Sequence, residues 1–170
     1  LTRSIERLAP TQRFQVVFFL DTEDGPNGYT LAPPPGRVER EYELIRATRA
    51  NIAHVRDWFG ALSPRGRGEP LEAIEIAFQL EPDAVFILAR FTGIATDPDK
   101  SELLGALDQL NPRTGPSRNR PVAVNGIQFL DRDPEGLLEA VAREHGGPGA
   151  GDAYTLLTRE AINDRRSTPE

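Results

Sequence analysis

The 170-residue chain contains no cysteine and no methionine. The first absence excludes disulfides, thiolate metal sites and a cysteine nucleophile. It leaves the redox compartment undetermined. The second means that Leu1 is not an initiator, so an upstream segment, such as a signal peptide or membrane anchor, is expected to have been removed or left out. Lysine occurs once, at Lys100, and all other basic residues are arginine, a bias better ascribed to a GC-rich genome than to function. No apolar run approaches the roughly 20 residues that crossing a bilayer takes. A basic stripe is also missing. The formal charge is −6, with acids and arginines interspersed, which argues against nucleic acid as a partner.

Histidine occurs twice, and neither His54 nor His145 has a serine, aspartate or second histidine at motif spacing. His145 ends the segment "LLEAVAREH", where a cation favours the helix dipole. The glycine-rich "GGPGAG" and "GRGEP" lack the lysine and hydroxyl of a phosphate loop. Asp21, Glu23 and Asp24 in "LDTEDGPNG" suggest a calcium loop. Pro26 and Ala32 stand where that loop needs glycine and an acid, so a solvated turn is the better reading. No catalytic constellation emerges, and a non-enzymatic role is expected.

What is present is an alternation of helices and strands. "LTRSIERLAP" has apolar residues at helical spacing and ends at Pro10. "RFQVVFFLD" reads as a strand buried on both faces. "TEDGPNG" is a turn cluster, and Pro33, Pro34 and Pro35 allow at most a short edge strand. A long helix is expected from about Val38 to Leu62, with an apolar stripe through Leu44, Ile45, Ile52, Val55, Trp58, Phe59 and Leu62. Trp58 and Phe59 read as core.

Pro70 suits the first turn of the next helix. "DAVFILA" is a strand, Asp99 and Glu102 have capping-box spacing before a further helix, and "PVAVNGIQFL" is another strand. "RDPEGLLEAVAREHGG" is a helix closed by Gly146, and "DAYTLL" is the last strand. A short helix is expected within the tail 158–170. The order implies one α/β domain over 1–157, with a doubly wound, mostly parallel sheet, helices on both faces and one short antiparallel edge strand.

The stretches "RLAPTQRFQVVFF", "ATRANIAHVRDWFGAL", "GEPLEAIEIAFQLEPDAVFIL", "VAVNGIQFLDRDPEGLLEAVAREHGG" and "AYTLL" follow in an order that resembles the von Willebrand factor A domain, in a variant common among bacterial proteins. The resemblance covers about Leu1 to Leu157. It implies a doubly wound sheet. In many members the carboxyl edge holds magnesium or manganese through an acid-and-serine motif after the first strand, a threonine before the third helix and an aspartate after the fourth strand. A hard divalent cation requires such oxygen ligands.

Here the pattern is broken at each element. The chain begins inside what resembles the first helix, so the first strand and its motif are missing. The threonine position falls at about Glu69 or Pro70, and the aspartate position at Arg90. A guanidinium only donates hydrogen bonds and carries positive charge, so it repels a metal rather than binding it. No metal and no cofactor are expected.

Arg90 then has two readings. It pairs structurally with Glu69 or Asp97, or it receives a partner carboxylate through two parallel hydrogen bonds. Glu69, Asp21, Thr92 and the Pro33–Pro35 segment complete the candidate partner-binding surface. The resemblance also places the missing strand between Phe14–Leu20 and Ala84–Ala89. Three outcomes are expected in order: an upstream segment completes the sheet, another chain donates a strand, or the strands close up.

The function implied is a metal-independent interaction or scaffold module, an accessory subunit with protein partners. Membrane association is expected only through an upstream segment. The rivals are a small-molecule binder or enzyme using Asp21, Thr22, Glu69, Arg90, Thr92 and Asn125, and a metal-dependent adhesion domain.

Overall fold

The computed structural model describes residues 2–22, 25–30, 43–61, 70–93, 97–115, 119–147 and 152–162, the side chains of 2–3, 20–22 and 25–30 excepted. They fall into two compact units, Leu1–Glu81 and Pro82–Glu170.

In the first unit, the run expected as one parallel strand is split. Strand β1 (Arg13–Phe14) pairs antiparallel with β4 (Ile45–Arg46), and β2 (Val17–Thr22) pairs antiparallel with β3 (Gly25–Thr30). Gln15 makes the break: its amide donates to the Glu43 carbonyl at 2.8 Å while its side-chain oxygen receives the Val16 N–H at 2.9 Å. Val17, Phe18 and Phe19 are only half-buried, as befits a hairpin strand rather than a central parallel one. The expected turn cluster is mostly strand, since β3 includes Gly25, Pro26, Asn27 and Gly28.

The helix expected from Val38 is shorter at its start. Helix α1 spans Thr2–Glu6 and α2 spans Arg49–Ala61. Thr48 sets the boundary of α2, because its hydroxyl receives the Asn51 N–H and its carbonyl the Ile52 N–H. Ile45 is therefore a strand residue, and it joins Ile5, Phe14, Val16, Ala47 and Val55 in a small core. Trp58 packs against that core, with its ring 5.4 Å from Phe18. Phe59 touches Phe18 at 5.8 Å but stays exposed, so only Trp58 is the core residue expected. Helix α3 (Pro70–Gln79) begins at a buried Pro70 and buries Ala73, Ile74 and Ile76 at helical spacing.

The second unit is a three-stranded parallel sheet flanked by helices. Strands β5 (Ala84–Ala89), β6 (Ala123–Phe129) and β7 (Tyr154–Leu157) lie in that order, with Ile87 opposite Gly126 and Ile127 opposite Thr155. The period-two burial of β6 turns Val124, Gly126 and Gln128 inward. Helix α5 (Leu137–His145) packs on this face so closely that a Cβ at Gly126 would stand 2.6 Å from the Leu138 carbonyl oxygen. Only glycine fits there.

Helix α4 (Lys100–Leu110) starts as expected, with the Asp99 carboxylate receiving the N–H groups of Ser101 and Glu102. Leu103 and Leu107 are fully buried. Helix α5 begins later than expected, beyond Pro134, and ends at Gly146. After β7 the chain makes one helical turn at 159–162, begun by Thr158.

Among the described residues β2 pairs with β3 and β5 with β6. No helix among the described residues is long and apolar enough to cross a membrane.

Candidate functional site at the carboxyl edge of the sheet

Parallel α/β sheets place their chemistry beyond the carboxyl ends of their strands. In the second unit this edge is formed by the segments leaving Ala89 and Phe129. Arg90 is the first residue past β5. Its Nη2 donates to Asp131 Oδ2 at 2.6 Å, and both side chains are more than half exposed. The acid that meets Arg90 is Asp131, two residues beyond β6, while the Asp97 carboxylate is turned to the Thr92 and Gly93 N–H groups. Leu130, between them, has φ of 65°, a left-handed conformation that costs a non-glycine residue energy. Its N–H bonds the Leu157 carbonyl at 2.8 Å, which ties the turn to β7.

Gln128 holds this edge from below. It is fully buried at the end of β6, in register with Ala89. Its Nε2 donates to the carbonyls of Phe91 at 2.8 Å and Asp131 at 3.0 Å, clamping the two segments together. Its Oε1 is buried without a partner among the described residues. Because both bonds from Nε2 go to carbonyls, the amide orientation is fixed by the network.

Thr92 and Gly93 form the rim. Their backbone N–H groups donate to Asp97 Oδ2 at 2.6 and 2.8 Å, and the Thr92 hydroxyl lies 3.4 Å from the same oxygen. Two adjacent N–H groups of this kind suit an anion, and here the chain supplies its own. Gly93 has φ of +71°, and the Pro134 side chain would stand 3.3 Å from a Cβ there.

Arg90 is thus engaged by Asp131 and Thr92 by Asp97, both within the fold. Asn125 does not belong to this edge: it is the third residue of β6, opposite Phe86 in mid-sheet. Asp21 and Thr22 are in β2 of the other unit, and their side chains are outside the described set. Glu69, Pro33, Pro34 and Pro35, and the acids Glu23 and Asp24, also lie outside the described residues. No group of three or more His, Asp or Glu side chains suited to a metal occurs among the described residues.

Sequence reasoning missed Gln128 and Asp131. Gln128 carries one usable signal, a polar side chain at an inward position of an apolar strand.

A second polar cluster lies at the opposite edge. Arg120 is almost fully buried and makes three bonds: Nη2 to Asp108 Oδ1 at 2.6 Å, Nη1 to the Asn111 carbonyl at 2.5 Å and Nε to the Glu144 carbonyl at 2.8 Å. The Arg120 guanidinium holds the Asp108 carboxyl below the usual carboxylate range. His145 is fully buried beside it, with Nε2 3.6 Å from Asp108 Oδ1. Burial first, then the positive charge of Arg120, pushes the imidazole down to about 4. The dipole-stabilised cation expected at this helix end is therefore replaced by a neutral ring, because desolvation outweighs the dipole.

No protein-family model matches the sequence, and no curated protein does. Among solved structures the chain is similar to a von Willebrand factor type A protein from Catenulispora acidiphila, with 15% identity and a TM-score of 0.66 over 97% of this chain. It spans 35% of that protein's chain. The likeness shows a von Willebrand factor A-like fold.

Proposed function

From this fold we propose a protein-interaction module that acts without a metal and serves as an accessory subunit of a larger assembly. Domains of this fold are generally used for protein–protein interaction. The observation that carries the metal-independent part is Arg90, which stands where the resemblance places a ligating aspartate and is closed onto Asp131. A guanidinium in that position opposes a divalent cation by charge and offers it no lone pair.

The unpaired edge of β5 supports the interaction role. Among the described residues this edge has no strand beyond it, and Phe86 on the same strand is 65% exposed. Such an edge accepts an added parallel strand, from elsewhere in the same polypeptide or from a partner.

Titration calorimetry of the full chain with magnesium and with manganese tests the metal reading. No binding heat at millimolar ion, for the native protein and for Arg90→Ala alike, is the expected result. Saturable binding by the native protein would overturn the metal-independent part. Co-purification from the native host, in chelator and in magnesium, then tests the partner part. The same stoichiometric partner is expected in both buffers, and its absence from both overturns the accessory-subunit reading.

A further inference from the structure

Among the described residues His145 is the one fully buried histidine, and neither of its ring nitrogens has a hydrogen-bond partner among them. A buried polar side chain without partners destabilises the fold, so its position is informative. It ends α5 where three segments meet. Asp108 of α4 faces it at 3.6 Å. Arg120, from the segment before β6, shares that Asp108 oxygen and also holds the last carbonyls of both helices, at Asn111 and Glu144. Arg113, after α4, reaches the Glu144 carbonyl at 3.5 Å, and Glu144 itself neighbours the ring on α5.

We propose that His145 is an acid-operated latch, which holds the end of α5 against α4 and the start of β6 while neutral and releases it when protonated. The geometry gives the reason. A proton on the ring creates a second cation beside Arg120, with one carboxylate oxygen between them, on a side chain that has no exposed surface. Arg120 cannot swing aside without abandoning the two helix-terminal carbonyls. Relief comes from moving α5 outward so that the imidazolium reaches water. The acids Asp108 and Glu144 favour the charged ring, but Arg120, Arg113 and burial oppose it, and the balance lies with the neutral form.

The sign of the pH dependence follows. The ring takes up its proton at about 4 in the folded chain and near 6.5 once exposed. The stability it allows is complete above pH 6.5 and is lost as pH falls from 6.5 toward 4. On this basis the opening equilibrium of α5 rises about 20-fold between pH 7 and pH 5.

Hydrogen exchange of the full chain, corrected for intrinsic rates, reads this at the amides of α5. The expected result is a rise of that size for Ala140–His145, with β6 amides unchanged, and its loss in His145→Leu. A rise of equal size in His145→Leu, or a uniform rise across the second unit, overturns the latch. Should His145→Leu fail to fold, NMR titration of the native protein decides: His145 staying neutral to below pH 5 in the folded form is expected, and titration near 6.5 without α5 opening would falsify the proposal.

Discussion

At the carboxyl edge of the β5–β6–β7 sheet, Arg90 and Asp131 meet in water, and either side chain retains more than half of its exposure. At the amino edge, the Arg120 side chain is only 8% exposed, Asn111 and His145 are wholly buried, and the polar groups are knitted into both helix ends. Asn111 bonds the Val122 backbone twice, through Nδ2 at 2.8 Å and Oδ1 at 3.1 Å. An exposed ion pair contributes between nothing and about 1 kcal/mol, whereas a buried donor serving several acceptors leaves each of them unsatisfied when it is removed. The charged pair at the carboxyl edge is thus held lightly above the buried Gln128 clamp, and at the opposite edge the charged groups themselves belong to the buried network. An exposed pair such as Arg90–Asp131 can be parted by a competing carboxylate at little cost, without disturbing the Gln128 bonds beneath it.

The sharpest way to break this contrast is Arg120→Ala. It strands the carbonyls of Asn111 and Glu144 and frees Asp108, and a loss of about 2–4 kcal/mol is expected in denaturant unfolding of the full chain. A loss below about 1 kcal/mol would show that water takes over its bonds and that the amino edge is no stronger than the other. Next comes Asp133→Ala, between the two edges in effect. Its buried carboxylate receives the N–H groups of Glu135 at 3.0 Å and Leu137 at 2.7 Å, which starts α5. Its removal is expected to lower stability by about 1–2 kcal/mol, the usual value of a lost helix cap, with helicity reporting the fraying. The smallest effect is Arg90→Ala, expected to change stability by less than about 1 kcal/mol. If that substitution proves as damaging as Arg120→Ala, the carboxyl edge is a structural keystone and the contrast fails.

Much of the second unit was legible because its signals are local. The alternating and apolar runs of Ala84–Ala89 and Ala123–Phe129, Asp99 before α4, and Gly146 after α5 each act within a few residues. The first unit was less legible. "RFQVVFFLD" looks like a central parallel strand, but an apolar run does not say which partner it finds. Gln15 and the Thr22–Gly25 register turn it into a split strand and a hairpin. Thr48 was a usable signal for the start of α2, hidden by the apolar spacing that continued back to Leu44.

The candidate site divides the same way. Arg90 was legible as a cation past a strand, and the proposal that this position takes no metal rests only on the chemistry of guanidinium. Its partner was not legible. Asp131 lies 41 residues away, and the Asp108–Arg120–His145 cluster joins three separate segments of the chain. The sequence by itself determined the alternation of helices and strands, the caps that start and stop them, and the absence of thiol chemistry, since these depend on residue type and near neighbours. Only the tertiary structure decided which strands pair, which acid meets Arg90 and that His145 is neutral, because pairing and desolvation depend on what packs alongside from distant parts of the chain.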